Sequence, residues 1–318
     1  MPVDPCFAAL LSDPRNAVRP PPAHVSAQRF RNAADAGLRA ASKAPVGAAS
    51  DRVRVADHAV PGPGGPLPIR LYRPYAGSEL PLIVFLHGGG FVFGGLETHD
   101  TFCRALAGES GAAVVAVDYR LAPEARFPAA VEDAYAALAW AAEHGREHGV
   151  DTRRIALCGD SAGGNLAVAT ALLARERGPT LLHLALLYPA VDPGCASRSQ
   201  ETFAEDYLMT RDALRWFWSS YLGSSDDAHH ALAAPLEADL SGLPAATVIT
   251  AEFDPLRDEG EALAGALSRV GVPVKLRRYA GMVHGFASFS DLTPLAEAAV
   301  NEIADGIRVS FARSAVPD

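Results

Sequence analysis

A serine stands between glycines in the segment Gly159-Asp160-Ser161-Ala162-Gly163. An apolar run precedes this segment and a helix-forming run follows it, so the sequence predicts a sharp strand-to-helix turn with the serine hydroxyl projecting from its tip. Glycines permit the close backbone approach that such a turn requires. The pentapeptide alone also fits an ordinary turn whose serine caps a helix. With its flanking pattern, Ser161 becomes a candidate nucleophile for acyl transfer.

A serine nucleophile needs a histidine to accept its proton and a carboxylate to fix the tautomer of that histidine. Of the ten histidines, His284 is the one in a loop directly after the last predicted strand. Asp254 stands just beyond another predicted strand, where catalytic groups gather in a parallel sheet. Asp258 and Glu259 fit the first turn of a helix for reasons of helix dipole alone. We therefore predict catalytic roles for Ser161, Asp254 and His284.

A second glycine-rich turn, His87-Gly88-Gly89-Gly90, follows an apolar run earlier in the chain. Backbone N–H groups in such a turn can approach a developing oxyanion closely, and the N–H of Ala162 would complete the set of donors. A flexible turn without function is the alternative for this segment taken alone. We interpret His87 as a structural residue that supports the donors.

The elements that must position these residues alternate between short apolar runs and longer helical segments. This alternation predicts an α/β fold with an open, mostly parallel sheet covered by helices on both faces. The predicted strands are residues 52–57, 67–72, 82–86, 113–118, 155–158, 184–188, 247–251 and 274–279. The predicted helices are residues 127–144, 165–176, 257–270 and 295–308. A Pro- and Gly-rich turn between the first two strands predicts an antiparallel hairpin.

Two parts of the chain, residues 1–50 and 192–240, do not follow this alternation. The second part carries an aromatic helix around Trp216 and is inserted between two predicted core strands. We interpret both parts as one small helical cap. The predicted core then consists of residues 51–191 and 241–318.

The composition restricts the class of protein. A net charge of −9 with dispersed basic residues disfavours a nucleic-acid partner. The N-terminus lacks the pattern of a secretory signal, and no apolar run is long enough to cross a bilayer, so we expect a cytoplasmic protein without stable membrane association. The four cysteines are too few and too scattered for a disulfide framework, and they form no metal-binding pattern.

With these motifs in place, the sequence closely resembles the hormone-sensitive-lipase-like carboxylesterases, the bacterial family IV esterases of the α/β-hydrolase superfamily. The resemblance extends from about residue 81 to residue 286 and preserves the order of the family's motifs. These motifs are His87-Gly88-Gly89-Gly90, Asp118-Tyr119-Arg120-Leu121-Ala122-Pro123-Glu124, Gly159-Asp160-Ser161-Ala162-Gly163-Gly164, Asp254-Pro255-Leu256-Arg257-Asp258-Glu259-Gly260 and His284-Gly285-Phe286.

The resemblance implies an α/β-hydrolase core of eight strands, a cap, and hydrolysis of carboxylic esters without a metal or organic cofactor. By position, it assigns the oxyanion hole to the N–H groups of Gly88, Gly89 and Ala162. It also implies that the segment from Asp118 to Glu124 is a structural brace.

We therefore expect a serine carboxylesterase that acts on small esters of short- to medium-chain acids through an acyl-enzyme. An amidase or acyltransferase with the same triad, and a ligand-binding receptor on a hydrolase scaffold, are the alternatives. Aromatic residues are candidates for the walls of the substrate pocket, namely Phe91, Trp216, Trp218 and Phe286. The last predicted strand forms a sheet edge through which a homodimer could pair, although its basic residues could equally prevent pairing.

Overall fold

A computed structural model of the protein describes residues 2–41, 52–75 and 79–314. Its centre is an eight-stranded sheet with the order β1-β2-β4-β3-β5-β6-β7-β8. The strands are β1 Val53–Gly62, β2 Gly65–Pro74, β3 Leu80–Leu86, β4 Ala113–Val117, β5 Val150–Asp160, β6 His183–Leu187, β7 Ala245–Phe253 and β8 Val274–Val283. β2 pairs antiparallel with β1 and β4, and all other neighbours are parallel. The predicted α/β-hydrolase fold is confirmed.

The central strands are mostly apolar because both faces of the sheet are covered. In β3, Leu82 and Val84 belong to the core on one face, whereas Ile83 and Phe85 belong to the core on the other. Successive side chains of a strand point to opposite faces, so a strand that is covered twice needs apolar residues at every position. This pattern is the reason that the central strands could be predicted from sequence.

The hairpin of β1 and β2 is longer than its prediction. Pro61 and Pro66 were assigned to the connecting turn, but the structure pairs these two residues with each other inside the ladder. β1 lies at the edge of the sheet, where a proline costs no hydrogen bond on the open side. Only Pro63 and Gly64 remain between the two strands.

Helices cover both faces of the sheet. Among the described residues they are α1 Ala8–Ser12, α2 Ala27–Ala41, α3 Asp100–Ser110, α4 Ala129–His144, α5 Ala162–Arg177, α6 Arg198–Thr202, α7 Arg211–Tyr221, α8 Arg257–Arg269 and α9 Pro294–Arg313. α4, α5 and α8 contribute to the core on one face, and α3 and α9 to the core on the other. The four predicted helices are confirmed, and α3 was not predicted from the sequence.

The N-terminal helices and the insertion between β6 and β7 meet above the carboxyl ends of the strands. Val18 forms an isolated bridge with Met209, and the hydroxyl of Thr210 donates to the carbonyl oxygen of Val18 at 2.7 Å. Phe30 of α2 packs against Trp216 of α7 with ring centroids 5.0 Å apart. Residues 42–50, which the sequence assigns to the same cap, lie outside the described residues.

Candidate active site

Ser161 stands at the turn between β5 and α5 with φ 53° and ψ −119°. A positive φ is costly for a residue with a Cβ and persists only where the surroundings enforce it. The surroundings here are very tight, because a Cβ on Gly163 would collide with the carbonyl oxygen of Leu86 and one on Gly159 with that of Gly163. The sharp turn therefore projects the Ser161 hydroxyl from the carboxyl end of the sheet.

The structure brings the three predicted catalytic residues into one chain of hydrogen bonds. His284 Nε2 lies 3.1 Å from Ser161 Oγ, and His284 Nδ1 lies 2.8 Å from Asp254 Oδ2. All three side chains are buried, and Asp254 is fully so. The second carboxylate oxygen, Oδ1, accepts the N–H of Leu256 at 2.8 Å. With Nδ1–H donating to Asp254, the lone pair of Nε2 faces the serine.

The two alternative carboxylates, Asp258 and Glu259, bind elsewhere. Asp258 accepts the N–H of Ser199 at 2.8 Å and pairs with Arg257. Glu259 accepts the N–H of Val191 at 2.8 Å, and burial raises its pKa to about 8. Both residues therefore anchor the beginning of the insertion, whereas the carboxylate that binds His284 is that of Asp254.

Gly88 does not fit the role that the resemblance gave it. Its N–H donates to Asp160 Oδ1 at 2.8 Å, and a Cβ on Gly88 would collide with the same carboxylate. An N–H that is already bound to a buried carboxylate cannot also stabilise an oxyanion. The free donors of this turn are Gly89 and Gly90, with φ of 117° and 59°.

Gly89, Gly90 and Ala162 line the same cavity as Ser161. Within the described parts of the chain, the N–H groups of these three residues donate to no backbone acceptor. The carbonyl oxygen of Gly89 accepts the N–H groups of Val92 and Phe93 at 3.0 Å each, which orients this peptide. These three groups form the set of donors that the geometry makes available near Ser161.

His87 is buried behind this turn. Its ring stacks on Tyr119 with centroids 4.1 Å apart, and the Tyr119 hydroxyl donates to the His87 carbonyl oxygen at 2.6 Å. Nδ1–H of His87 donates to the carbonyl oxygen of Gly88 at 2.7 Å. Burial and the neighbouring His99 lower the pKa of His87 to about 3, so the ring is neutral. These contacts place His87 and Tyr119 as supports of the turn.

His99 also borders the site, although no sequence pattern indicated it. Its Nε2 lies 3.5 Å from Asp160 Oδ1, and its Nδ1 lies 2.9 Å from the hydroxyl of Thr98. Burial opposes ionisation of Asp160, but His99 and the N–H of Gly88 prevail and lower the pKa of this carboxyl. A buried carboxylate with two partners therefore lies directly behind the glycine turn.

The cavity above Ser161 measures about 790 Å³ with its mouth. Besides the catalytic groups, its wall is mostly apolar and includes Val18, Leu38, Phe91, Phe93, Met209, Leu214, Phe217, Trp218 and Phe289. Phe91 and Trp218 were predicted. Leu38 and Val18 come from the N-terminal part of the chain. No motif in that part indicated that its residues would line the pocket.

Trp216 and Phe286 do not line this cavity, and these two predictions are corrected. α7 turns its buried face, formed by Leu214, Phe217, Trp218 and Tyr221, toward the core and the cavity. Residues that are three or four positions apart share a helix face, so Trp216 falls outside this face and packs against Phe30 instead. Phe286 is fully buried beneath the site, against Tyr188 and Tyr279.

The residues that the structure describes contain no group of three or more His, Cys, Asp or Glu side chains that could hold a metal ion. Within the same residues, no helix is both long and apolar enough to cross a membrane.

Comparison with known proteins assigns the family. A family model described as an alpha/beta hydrolase fold matches residues 83–288, which is more than half of the chain. The chain belongs to the hormone-sensitive-lipase-like carboxylesterases of this fold. The carboxylic ester hydrolase LipN of Mycobacterium tuberculosis is 44% identical to this esterase over 269 residues, which are 82% of this chain and 72% of LipN. An arylesterase of Saccharolobus solfataricus is 39% identical over 78% of this chain and 80% of its own length.

Solved structures agree with this assignment. A hyperthermophilic esterase from the archaeon Pyrobaculum calidifontis is 43% identical, with a TM-score of 0.88 over 97% of this carboxylesterase and 99% of the archaeal chain. A thermostable esterase from Pseudomonas putida ECU1011 is 36% identical, with a TM-score of 0.90 over 98% of both chains.

Proposed function

We propose that the protein is a serine carboxylesterase that hydrolyses small, uncharged esters of short- to medium-chain acids through an acyl-enzyme. The observation that carries this proposal is the hydrogen-bonded chain from Asp254 through His284 to Ser161, which opens into a cavity that Gly89, Gly90 and Ala162 also line. Among the described residues, the backbone N–H groups of these three have no backbone acceptor. This combination supplies a nucleophile, its base and a site for the developing negative charge.

In the first half of the reaction, Ser161 Oγ attacks the ester carbonyl carbon while His284 Nε2 accepts the hydroxyl proton. The N–H to Asp254 holds the imidazolium in place as it forms. The carbonyl oxygen becomes negatively charged and binds the N–H groups of Gly89, Gly90 and Ala162. His284 then protonates the departing alcohol oxygen, the C–O bond breaks, and the acyl group remains on Ser161.

In the second half, a water molecule enters in place of the alcohol. His284 removes its proton as the water oxygen attacks the acyl carbon, and the same N–H groups stabilise the second tetrahedral intermediate. Collapse of this intermediate returns the proton to Ser161 and releases the carboxylic acid. Every proton transfer uses one histidine nitrogen, so the reaction requires no further acid or base.

The cap that we propose consists of residues 1–50 and 192–240, above a core of residues 51–191 and 241–318. The contacts of Val18 with Met209 and of Phe30 with Trp216 support treating its two parts as one unit.

The mostly apolar cavity below the cap favours neutral acyl and alcohol groups, because a charged group would lose its hydration there without a partner.

A panel of p-nitrophenyl esters and the matching anilides tests the reaction class. We expect rapid turnover of the esters, and stoichiometric labelling of Ser161 by a p-nitrophenyl alkylphosphonate, which releases p-nitrophenol as the serine oxygen bonds to phosphorus, with the label located by mass spectrometry. Preferential turnover of the anilides, or transfer of the acyl group to an added amine in excess of hydrolysis, would assign the protein to the amidases or acyltransferases. Binding of esters without turnover would make it a receptor.

We also propose a homodimer that pairs through β8, the edge strand of the sheet. Leu276 is exposed on this strand, and Lys275 and Arg277 are engaged by Glu302 of the same chain. Neutralised basic residues oppose edge pairing less than free ones do. Light scattering after size-exclusion chromatography tests the proposal, and a monomer at all concentrations contradicts it.

For the location we propose the cytoplasm. All four cysteines are free thiols, as is usual in a reducing compartment. Fractionation of cells that express the protein tests this assignment, and activity in a secreted fraction contradicts it.

A further inference from the structure

Helix α2 lies against the back of the glycine turn that carries two of the proposed oxyanion donors. Asp35 Oδ1 accepts the N–H of Gly94 at 2.8 Å. One turn of helix earlier, Arg31 Nε donates to the carbonyl oxygen of Val92 at 2.7 Å, and Phe30 packs edge-on against Phe93 with ring centroids 6.0 Å apart. Three side chains of a single N-terminal helix therefore contact three consecutive residues of the turn.

The contacted residues connect directly to the donors. The N–H groups of Val92 and Phe93 both donate to the carbonyl oxygen of Gly89, so a shift of residues 92–94 changes the orientation of the Gly89–Gly90 peptide, which carries the N–H of Gly90. Gly94 packs against Gly88 so closely that a Cβ on it would lie 2.5 Å from the Gly88 carbonyl oxygen. The far end of the turn thus determines where its N–H groups point.

The conformation of the turn is one that the chain does not adopt unaided. Phe91 has φ 64° although it carries a large side chain. A strained residue of this kind persists only when its surroundings determine it from several sides. The carbonyl oxygen of Phe91 accepts the N–H of Ala122, and the carbonyl oxygen of Ala122 in turn accepts Arg31 Nη2 at 3.1 Å. Arg31, which also pairs with Glu124 at 2.7 Å, therefore connects both sides of the strained segment.

We infer that Arg31 and Asp35 are positioning residues of the oxyanion hole, which they hold in place from the N-terminal helix through the backbone of Val92 and Gly94. This inference rests on the proposed function of the site. Neither residue lines the cavity above Ser161. They act by fixing the N–H groups of Gly89 and Gly90 before the charge develops, which is the condition under which such donors accelerate a reaction.

The test compares Asp35→Ala with Asp35→Asn. The alanine variant removes the acceptor for the Gly94 N–H, whereas the asparagine variant retains a carbonyl oxygen in its place. A small misplacement of donors costs rate without weakening binding of the ground state, so we expect kcat to fall roughly 10-fold in Asp35→Ala, with KM within about twofold. Asp35→Asn should retain at least about half of the parent kcat.

An inhibitor pair separates positioning from general damage. An alkyl trifluoromethyl ketone forms a bond between its carbonyl carbon and Ser161 Oγ, the serine proton passes to His284, and the ketone oxygen becomes an oxyanion in the hole. The corresponding methyl ketone serves as the probe of the ground state. We expect Asp35→Ala to weaken inhibition by the trifluoromethyl ketone by the same factor of roughly 10, and inhibition by the methyl ketone by less than twofold.

Arg19→Ala is the matched control, because it removes the 2.8 Å ion pair between the N-terminal part and Glu205 of the insertion without touching the turn. It should change neither kcat nor either inhibition constant. If Asp35→Ala does not fold, Arg31→Lys provides a second test, since lysine keeps the charge but lacks the fixed, planar set of donors with which Arg31 contacts Val92 and Ala122 from two different nitrogens.

The inference is overturned if Asp35→Ala, or a folded Arg31→Lys, keeps kcat and trifluoromethyl ketone inhibition within twofold of the parent. It is also overturned if both ketones weaken equally, because that result indicates a damaged pocket. In either case the proposed function still stands if the parent enzyme hydrolyses esters and this activity depends on Ser161. A parent that hydrolyses no ester overturns both.

Discussion

The carboxylate of Asp160 accepts the backbone N–H of Gly88, which lies 72 residues earlier in the chain, at 2.8 Å. The residue next to the nucleophile thus fixes the first glycine of the turn opposite it. Together with the pairing of β3 and β5, this buried bond fixes the relative position of the two turns, one holding Ser161 and the other the proposed oxyanion donors.

Asp160→Ala should therefore destabilise the protein and slow its reaction. A buried N–H left without an acceptor costs about 1–3 kcal/mol, and we expect this loss in the free energy of unfolding measured by urea denaturation. Asp160→Asn retains an acceptor for the N–H and should lose less. Equal stability of parent and alanine variant would show that water replaces the carboxylate.

Ser161→Ala should abolish ester hydrolysis while the fold is retained. The substitution removes the nucleophile but little core volume, and loss of a triad member typically costs several orders of magnitude in kcat. Turnover of p-nitrophenyl butyrate and the thermal midpoint should be measured on the same preparation. A folded variant that keeps more than about a tenth of the parent rate would reject Ser161 as the nucleophile.

Asp254→Asn should reduce kcat by about 10⁴-fold, because an amide at this position favours the wrong tautomer of His284. Asp258→Asn is the matched control four residues along the same segment, where the carboxylate instead binds Ser199 and Arg257. Its effect on kcat should stay within a few-fold. The reverse ranking of the two variants would transfer the orienting role to Asp258.

His87 should make the native state sensitive to acid. Its pKa is lowered to about 3 in the native state by burial and by His99, whereas the unfolded chain has the ordinary value of 6.5. Between these two values the unfolded state binds a proton that the native state does not, so stability falls as the pH is lowered from 6.5 toward 3. The contribution is about 1.4 kcal/mol per pH unit in this window.

His87→Phe keeps an aromatic ring against Tyr119 but cannot be protonated. The difference in the free energy of unfolding between parent and variant should therefore change with pH over this window and remain constant above pH 7. Denaturant titrations at several pH values measure it. A pH-independent difference would show that His87 is protonated in both states or in neither.

The length of the acyl chain should have an optimum. Each buried methylene contributes about 0.8 kcal/mol, which is roughly a fourfold gain in kcat/KM, until the chain reaches the end of the pocket. We expect the maximum between about four and eight carbons on p-nitrophenyl esters from acetate to palmitate, assayed in monomeric solution. A continuous rise toward palmitate, or activation at an oil–water interface, would indicate a true lipase instead.

Two substitutions on α7 test which residues end this pocket. Phe217→Ala should move the maximum to longer chains, since Phe217 lines the cavity above Gly90. Trp216→Ala, the neighbouring substitution, should leave the maximum where it is, because Trp216 packs against Phe30 outside the cavity. A shift with Trp216→Ala alone would place the end of the pocket on the other side of the helix.

The sequence alone determined the order and spacing of the main chemical groups. Ser161 was identifiable because its turn needs glycines at fixed positions, and Asp254 and His284 because each follows a strand whose carboxyl end must reach the same edge of the sheet. The sheet itself was predictable because strands covered on both faces are apolar at every position.

Only the tertiary structure decided which N–H groups are free. Gly88 and Gly90 are identical residues in one motif, but the N–H of Gly88 is bound by Asp160 and that of Gly90 is not. This difference depends on the direction of each peptide and on a contact between residues that are distant in sequence. The same reason explains why Trp216 lies outside the pocket wall, since a helical pattern gives the faces of α7 but not its rotation against the core. The contacts of Arg31 and Asp35 with the turn follow no local pattern either, because they depend on how α2 packs against a segment about 60 residues away.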